Sequence, residues 1–378
     1  MFGSTLDQTD RLASIDSLGM SQLLGNFWKQ IEDAVEIGEN FSLPSSFKGT
    51  FEKIIFIGMG GSAIGGDVIR SLMSTESKIP VWVSRHYDLP LFADQKSLCI
   101  FSSYSGNTEE TLSAFRQGLQ KKIKCIVITS GGNLARLAQE NSIPWIEIPS
   151  GFPPRAALGF SVFPILKLLA KLKLIKWDTQ GVEETVQLMK SLGEKKLAMN
   201  VPTRSNPAKQ LAEFLHGKFA AIYSGVELLD SAALRFRNQI EENAKAIASH
   251  HLIPEMNHNE ILGWRFPAPI ISKSACVFLR DSGDHPRIQL RMKITKNLIL
   301  KQNTVPMEEI HSQGKSRLAR LFSVIAIGDW ASFYLAILYK IDPTPVVIIE
   351  SLKKELAGAK EGKTKKNPKT KQRSLSVA

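Results

Sequence analysis

The chain has 378 residues, of which 43% are hydrophobic and 22% charged, a composition typical of a globular protein with two or three domains. It contains no run of about 18 apolar residues that would predict a membrane span, and its first residues lack the apolar core of a secretory signal. Its cysteines, Cys99, Cys125 and Cys276, are odd in number and have no CxxC spacing, which argues against a disulfide framework or a structural zinc site. We therefore expect buried thiols and a cytoplasmic protein.

The formal net charge of +12 is concentrated at the carboxyl end of the chain. The last 25 residues, from Lys354, carry eight Lys or Arg against two acids, which supplies +6 of the total. This segment has almost no large apolar residues, so we expect a basic, disordered, solvated tail over 357–378. Binding of RNA by this tail is the alternative, and we do not expect nucleic acid to be a partner.

The first half of the chain predicts helices and then one parallel sheet. Residues 1–45 show apolar spacings of three and four, which indicates a helical segment. Strands are predicted at 53–58, 80–84, 97–102, 124–129 and 144–149, with a loop and helix at 60–73 and helices at 108–119 and 133–141. Wholly apolar strands that alternate with amphipathic helices are typical of a parallel sheet covered on both faces.

The pattern restarts after a predicted helical bridge at 166–204. The second set of predicted strands is 219–224, 270–271, 275–280 and 292–298, and the predicted helices are 228–246, 316–338 and one near 343–356. The predicted fold is therefore α/β, with two subdomains at 46–165 and 205–356 that are each a parallel sheet in a three-layer αβα arrangement. Ligands of such sheets bind at the carboxyl ends of the strands.

One segment at such a strand end is rich in hydroxyl groups. In FSSYSGNTEETL (101–112), the side chains of Ser103, Ser105 and Thr108 surround Gly106 just before a predicted helix. Free backbone N–H groups and the helix dipole favour an anion there, and phosphate fits this description. The alternative is an ordinary strand–turn–helix junction with a hydroxyl cap.

A second loop, GMGGSAIGGD (58–67), follows the first predicted strand. Its spacing does not match a dinucleotide fingerprint, and no GK[ST] follows as in a P-loop. Gly60 and Gly61 allow backbone N–H groups to approach a ligand closely, and Ser62 adds a hydroxyl at the helix entry. Tight packing of a helix on a strand is the alternative reading.

Seven motifs in order resemble the bifunctional phosphoglucose/phosphomannose isomerase family, which has the sugar-isomerase (SIS) fold. They are GMGGSAIGGD, SYSGNTEET, ITSGG, FPPRAALG, FRNQIEENAK, MNHNEILGW and IDPTPVVIIESLKKEL, and they span about 51–356. The resemblance implies two SIS subdomains and an enzyme that interconverts glucose 6-phosphate and fructose 6-phosphate, and also mannose 6-phosphate and fructose 6-phosphate. It further implies ring opening, proton transfer through a cis-enediol(ate), no cofactor and no metal.

The resemblance also implies roles for individual residues. The substrate phosphate would be bound by the two loops, through Gly60, Gly61, Ser62, Ser103, Ser105 and Thr108. Arg155 would stabilise the enediolate and Glu242 would be the base, while His258 and Lys353 would open the ring. The family's site takes its histidine from the partner subunit of a homodimer, so His258 would act across an interface.

The same residues have plainer interpretations when they are taken alone. Arg155 would be a surface arginine and His258 a loop histidine, and Glu242 with the adjacent Glu241 would form a solvated helix face. Where the family has Asn-Glu-Asn this chain has Glu241-Glu242-Asn243, and helix geometry predicts that Glu241 points about 100° away from Glu242. Lys354 is the alternative to Lys353.

Two other functions remain open at this point. A non-catalytic sugar-phosphate sensor with a regulatory role would need the hydroxyl loop but not Arg155, Glu242, His258 or Lys353. An SIS isomerase for another sugar phosphate, or an amidotransferase-type SIS domain, is the third hypothesis. The absence of an N-terminal cysteine nucleophile counts against the amidotransferase.

Overall fold

A computed structural model describes residues 4–47 and 49–359 of the chain. In this part the strands are β1 (Lys53–Ile57), β2 (Val81–Ser84), β3 (Ser97–Ser102), β4 (Lys124–Thr129), β5 (Trp145–Glu147), β6 (Phe219–Gly225), β7 (Ala248–Ile253), β8 (Ser274–Arg280) and β9 (Met307–His311). The helices are α1 (Thr9–Ile15), α2 (Met20–Gly25), α3 (Phe27–Asn40), α4 (Gly60–Met73), α5 (Glu109–Gln120), α6 (Gly132–Glu140), α7 (Leu158–Lys171), α8 (Thr179–Lys195), α9 (Pro207–Leu215), α10 (Asp230–Asn243), α11 (Ala268–Ile271), α12 (Pro286–Gln302), α13 (Arg317–Leu338) and α14 (Val347–Gly358).

The strands form two parallel sheets, as the sequence predicts. The first sheet has the order β2-β1-β3-β4-β5 and the second the order β7-β6-β8-β9. All pairings in both sheets are parallel, with Ile57 beside Phe101 in the first and Ala221 beside Cys276 in the second. The α/β prediction is confirmed, and the two sheets fall inside the ranges 46–165 and 205–356; the subdomain boundaries themselves stay predictions.

Alternate residues along the central strands enter different hydrophobic clusters. In β1, Ile54 and Phe56 join the large cluster, whereas Ile55 and Ile57 join a separate cluster on the opposite face of the sheet. Tyr223 in β6 belongs to a third cluster, on the far face of the second sheet. Both faces of each sheet are therefore covered, which explains why the central strands read as continuous apolar runs.

Two predicted strands are wrong. Residues 292–298 lie in α12, where Ile288, Met292, Thr295 and Ile299 are buried at helical spacing and the apolar residues between them are exposed. Residues 270–271 close the short helix α11, which begins just after Pro267. Helix α4 also begins at Gly60 itself, without the loop that the sequence predicts.

The strands that the sequence did not predict are at the edges of the second sheet. β7 contains His250 and His251 and is half-buried over most of its length, and β9 contains two glutamates. An edge strand is buried less than a central one, so its residues are more polar and it lacks a continuous apolar run.

One described helix, α13, is long and apolar enough to cross a membrane by length and composition. Of its most apolar window, 89% is buried inside the protein, so the apolar residues are accounted for by the core. All three cysteines are free and buried, as predicted.

The chain divides into two compact units, Met1–Thr344 and a second one that starts at Pro345. Both sheets belong to the first unit. In the second unit the described element is α14, whose side chains are exposed. The predicted basic tail lies outside the described residues from position 360 onward.

Candidate active site

The hydroxyl loop follows β3 at the carboxyl edge of the first sheet. Thr108 precedes α5 as its N-cap residue, and its hydroxyl is 2.8 Å from that of Ser103. Backbone N–H groups inside the turn donate to Ser103 O and Ser105 Oγ. Gly106 has φ of +67°. The turn is thus a compact cluster of hydroxyl groups at the start of α5, an arrangement that can bind phosphate.

The end of β4 holds this loop in place. A Cβ at Gly106 would lie 1.8 Å from Gly131 O, so no other residue fits without moving the backbone. Leu134 N–H donates to Gly106 O over 2.9 Å, and Ser130 Oγ donates to Tyr104 O over 2.6 Å. The segment Thr129–Gly132 therefore serves as the support of the hydroxyl loop.

The glycine-rich start of α4 contributes Ser62 to the same edge. Ser62 Oγ accepts the N–H of Tyr104 over 3.0 Å, which joins the first turn of α4 to the hydroxyl loop. The hydroxyl proton of Ser62 is then free to donate to an anion. Four hydroxyl residues named by the sequence, Ser62, Ser103, Ser105 and Thr108, are brought together.

Gly61 connects this hydroxyl cluster to the turn that carries Arg155. A Cβ at Gly61 would lie 2.9 Å from Pro154 C and O and 3.0 Å from Arg155 N. These contacts are backbone against backbone, so only glycine allows them. Gly61 therefore serves close packing, and what is packed against it is the Arg155 turn, whereas a Cβ at Gly60 would meet no atom within 4 Å.

Arg155 is buried, with 3% of its surface exposed, and its guanidinium is held on three sides. Nε donates to Asn243 Oδ1 over 2.6 Å, and Nη2 donates to the carbonyl oxygens of Pro343 and Thr344 over 2.7 and 2.8 Å. Burial lowers its pKa, and the carboxylate of Glu242 opposes that shift. The reading of Arg155 as a surface arginine is wrong.

The remaining nitrogen of Arg155 faces the predicted base. Nη1 is 3.6 Å from Glu242 Oε2, which is an ion-pair distance but too long for a hydrogen bond. A guanidinium has five N–H donors, and three are used by Asn243, Pro343 and Thr344. Within the described part of the chain, the two donors on Nη1 have no hydrogen-bond acceptor, and Glu242 is the carboxylate within ion-pair distance of that nitrogen.

Helix α10, which carries Glu242, also has a buried polar face that the sequence did not predict. Arg235, Gln239 and Asn243 recur every four residues and face α13. Arg235 forms an ion pair with Asp329 at 2.7 Å and also donates to the carbonyl of Arg155 over 2.8 Å. Gln239 donates to the same Asp329, and Asn243 donates to Ser332 Oγ. Polar residues at positions i, i+4 and i+8 of a helix were the signal that could have revealed this network.

Glu241 and Glu242 point to different neighbours, as helix geometry predicts. Glu241 is 3.8 Å from Arg237, one turn earlier on the same helix, whereas Glu242 faces Arg155. Partial burial and the charge of Glu242 raise the pKa of Glu241, and Arg237 opposes this. The two carboxylates are still close enough for their charges to interact.

Lys245 is a second residue that the sequence analysis missed. Its Nζ donates to the carbonyl oxygens of Asn243, Asp342 and Pro343 over 3.2, 3.0 and 3.0 Å. Desolvation of the ammonium and then the charge of Arg155 lower the pKa of Lys245 to about 8. Pro343 O thus accepts from both Lys245 and Arg155.

His258 is not brought next to Glu242 in this single chain. It ends the 3-10 turn Glu255–His258, just beyond the carboxyl end of β7, and is exposed. Glu242 lies six residues before β7, at the other end of that strand. At about 3.3 Å per residue, the six residues of β7 alone span roughly 20 Å.

The turn that carries His258 is nevertheless anchored. Asn257 Nδ2 donates to Thr295 Oγ1 in α12 over 2.7 Å, and Asn259 Nδ2 donates to Glu255 Oε1 over 2.9 Å. Glu260 contacts the hydroxyl of Tyr223 and lies 2.6 Å from His251 Nδ1. His251 is therefore one of the contacts that anchor this turn.

Lys353 lies in α14 with an exposed side chain, and so does Lys354. Lys353 follows Ile349 by four residues and precedes Leu356 by three, so it shares their side of the helix. Its choice over Lys354 stays a prediction. Among residues 4–47 and 49–359, no group of three His, Cys, Asp or Glu side chains is arranged to hold a metal ion.

Taken together, the candidate site joins the hydroxyl cluster predicted to bind phosphate, a buried cation with two donors left over and a carboxylate. A carboxylate can move a proton to and from carbon, and a guanidinium beside it can stabilise an oxyanion as it develops. Sensing a ligand needs only the phosphate pocket, so the network around Arg155 and Glu242 does not favour the sensor hypothesis.

Comparisons with known proteins agree with this chemistry. The model of the bacterial phospho-glucose isomerase C-terminal SIS domain matches 204–356, and that of the SIS domain matches 51–146. A bifunctional phosphoglucose/phosphomannose isomerase from Caldicellulosiruptor bescii is 44% identical over 342 residues, which is 90% of this chain and 100% of that protein. One from Aquifex aeolicus is 36% identical, over 81% of this chain and 91% of its own.

A solved structure of a hypothetical protein from Thermus thermophilus has the same fold. It superposes with a TM-score of 0.67 at 14% identity and covers 93% of this chain and 94% of its own. The length and identity of the curated relatives decide the family. The chain therefore belongs to the bifunctional phosphoglucose/phosphomannose isomerase family.

Proposed function

We propose that this enzyme interconverts glucose 6-phosphate and fructose 6-phosphate, and mannose 6-phosphate and fructose 6-phosphate. The family membership supports the reaction type, and the site supplies the groups that it needs. The isomerisation of glucose 6-phosphate is a step shared by glycolysis and gluconeogenesis. Because the chain's three thiols are free and buried, we place the protein in the cytoplasm.

The proposed proton transfer uses Glu242. Its carboxylate removes the proton from C2 of the open-chain aldose phosphate and returns it to C1, with the cis-enediol(ate) between the two steps. The free Nη1 donors of Arg155 stabilise the negative charge that develops on the oxygen. The observation that carries this proposal is the 3.6 Å approach of Nη1 to Glu242 Oε2, on a turn packed against Gly61 of the phosphate pocket.

Substrate phosphate is assigned to Ser62, Ser103, Ser105 and Thr108, with the backbone at Gly60 and Gly61. These groups are neutral, so they hold the dianion through hydrogen bonds and the start of α5. Binding the phosphate would place the other end of an open-chain hexose toward Arg155, since Gly61 touches both parts.

Ring opening is assigned to His258 and Lys353, with His258 contributed by the partner subunit of a homodimer. The length of β7, which separates His258 from Glu242 within one chain, supports a contribution across an interface. Exposure of His258 on an anchored turn supports it as well. A group that must reach into another subunit needs both properties.

Mannose 6-phosphate differs from glucose 6-phosphate only in the configuration at C2. Removal of the C2 proton from either sugar leads to the same enediol. One base can therefore serve both aldoses if the C2–C3 bond can turn in the pocket.

A coupled assay tests the proposed activity directly. Purified protein should convert glucose 6-phosphate and mannose 6-phosphate to fructose 6-phosphate, measured side by side under the same conditions. If the purified protein binds the sugar phosphates but shows neither activity, the result would support a sensor instead. Turnover of glucose 6-phosphate alone would limit the proposal to one aldose.

Mixed dimers test the shared site. The variants His258→Ala and Glu242→Gln should each be nearly inactive, but dimers with one subunit of each kind contain one intact site. Unfolding and refolding the two together should restore about a quarter of wild-type activity by random pairing. If subunit exchange is demonstrated with differently tagged chains and activity stays absent, the assignment of His258 to the partner's site is wrong.

A further inference from the structure

We propose that Lys245 is a positioning residue for Arg155: it holds the carbonyl groups of Asp342 and Pro343 so that the guanidinium keeps its place beside Glu242. This inference rests on the proposed function, because it gives Lys245 importance only if Arg155 and Glu242 act on substrate.

The first observation is the shared acceptor. Pro343 O receives Nη2 of Arg155 over 2.7 Å and Nζ of Lys245 over 3.0 Å. Lys245 also donates to Asp342 O and, back on its own helix end, to Asn243 O. Asn243 is the same residue whose side chain accepts Nε of Arg155. Lys245 and Arg155 therefore both donate to the backbone of segment 342–344 and both contact Asn243, Lys245 at its backbone carbonyl and Arg155 at its side-chain oxygen.

The second observation is the backbone of Lys245 itself. It lies two residues after α10 ends and has φ of +52°, in the left-handed region. Glycine is the usual residue at such a helix end, because side chains are strained there. This position is occupied by a lysine although glycine would relieve that strain. The lysine ammonium donates to three carbonyl oxygens.

The third observation is the charge arrangement around the ammonium. Arg155, Glu242 and Asp342 are the charged groups that act on Lys245, and they come from three different parts of the fold. Both cations interact with the charge of Glu242, but Arg155 is the one within ion-pair distance of its carboxylate, at 3.6 Å. Of these two, only Arg155 has free donors that face the carboxylate, so Lys245 acts through Arg155.

Four variants separate this role from a structural one. Lys245→Gly removes the ammonium and relieves the strained φ, Lys245→Met keeps most of the volume, and Lys245→Arg keeps the charge. Lys173→Gly is the matched control, since Lys173 is, like Lys245, an exposed lysine with positive φ (+59°) two residues after a helix end, and it differs from Lys245 in the three carbonyl contacts of the latter.

The expected result is loss of turnover without loss of phosphate binding or stability. Since a misplacement of about 1 Å can cost about 100-fold, kcat of Lys245→Gly and Lys245→Met should fall about 10- to 100-fold. The inhibition constant of inorganic phosphate should not change, the urea midpoint of Lys245→Gly should equal or exceed that of wild type, and Lys245→Arg should recover part of kcat.

A second measurement reports on the oxyanion. A five-carbon sugar-acid phosphate carries a carboxylate where the enediolate would form, so its affinity should fall in Lys245→Gly by about the factor lost in kcat/KM. Lys173→Gly should match wild type in every measurement.

The outcomes distinguish this inference from the proposed function. Wild-type kcat in Lys245→Gly, with Glu242→Gln inactive, would overturn the role of Lys245 and leave the proposed function standing. An equal weakening of inorganic phosphate would also overturn it, because the loss would then be general. Full activity of Glu242→Gln would instead contradict the proposed function itself.

Discussion

Gly61 lets the start of α4 pack closely against the turn that carries Arg155 because it has no side chain. A Cβ there would lie 2.9 Å from the backbone of Pro154 and 3.0 Å from Arg155 N, so the proposed phosphate-binding residues and this turn have a fixed separation. The sequence motifs around both residues predict their roles through family resemblance. The contact between them joins residues more than 90 positions apart, and no local pattern could have predicted it.

Gly61→Ala tests this coupling at one atom. The new Cβ would lie 2.9 Å from the backbone of Pro154, so the Arg155 turn must shift by several tenths of an ångström. We expect kcat to fall about tenfold through misplacement of Arg155. Steady-state kinetics measures this, with Gly25→Ala as control because the nearest atom to a Cβ there is 3.9 Å away. Unchanged kinetics of Gly61→Ala would show that the turn moves freely.

A separate prediction concerns His250 and the dependence of the free energy of unfolding on pH. Its burial, followed by the charge of Arg237, lowers the pKa of His250 from 6.5 to about 4. Between these values the unfolded chain binds a proton that the folded chain does not, so acid favours unfolding. The contribution of neutral His250 to the free energy of unfolding is fully present above pH 6.5. It is lost as the pH falls from 6.5 to about 4, by at most about 1.4 kcal/mol per pH unit for one proton.

Urea unfolding of His250→Gln measures this contribution. Between about pH 7 and pH 5 the stability of wild type should fall more steeply than that of the variant. The exposed His86, replaced in the same way, is the control for introducing glutamine. Parallel stability curves for wild type and His250→Gln would contradict the assigned burial effect.

At the scale of elements, the packing of α10 against α13 holds the carboxylate and the arginine together. Arg235 forms an ion pair with Asp329 and donates to the carbonyl of Arg155. Asn243 accepts a hydrogen bond from the side chain of Arg155. The buried charges are matched, which lets a polar face pack against an otherwise apolar helix. The sequence shows the spacing of four in α10, but it does not show which helix supplies the partners.

Asp329→Ala should destabilise the protein strongly. It leaves Arg235 buried without its partner, so we expect the free energy of unfolding to fall by about 3 kcal/mol or more. In the double variant Arg235→Met with Asp329→Leu no charge is left unpaired, and part of the stability should return. Chemical unfolding of the single and double variants measures both values. Additive losses in the double variant would mean that the pair does not act as a unit.

The strands that the sequence predicts correctly include the buried central ones, and the strands that it does not predict lie at sheet edges. Central strands such as β3 are wholly buried and can be recognised from their apolar runs, whereas β7 and β9 lie at edges and carry polar residues. In α12 apolar residues lie on both the buried and the exposed side, which resembles the alternation of a strand over a short window. The pattern over 292–298 therefore predicts the wrong kind of element.

At the scale of the whole molecule, two parallel sheets from one chain supply different parts of the site. The first sheet carries the proposed phosphate-binding residues at its carboxyl edge, and α10 of the second half brings Glu242 to Arg155 across 87 positions of sequence. The pattern of apolar strands and amphipathic helices predicts the α/β fold, and the resemblance to a family predicts the site residues. The network of Arg235, Asp329 and Lys245 depends on tertiary contacts that the motifs do not describe.

The central claim is that Glu242 moves the proton between C2 and C1, and hydrogen exchange tests it most directly. In deuterium oxide, wild-type protein should incorporate deuterium at C2 of glucose 6-phosphate during equilibration with fructose 6-phosphate, measured by NMR. Glu242→Gln should reduce this incorporation at least about 100-fold while sugar-phosphate binding remains measurable, and Glu241→Gln should retain it. Incorporation at the wild-type rate in Glu242→Gln would contradict the account.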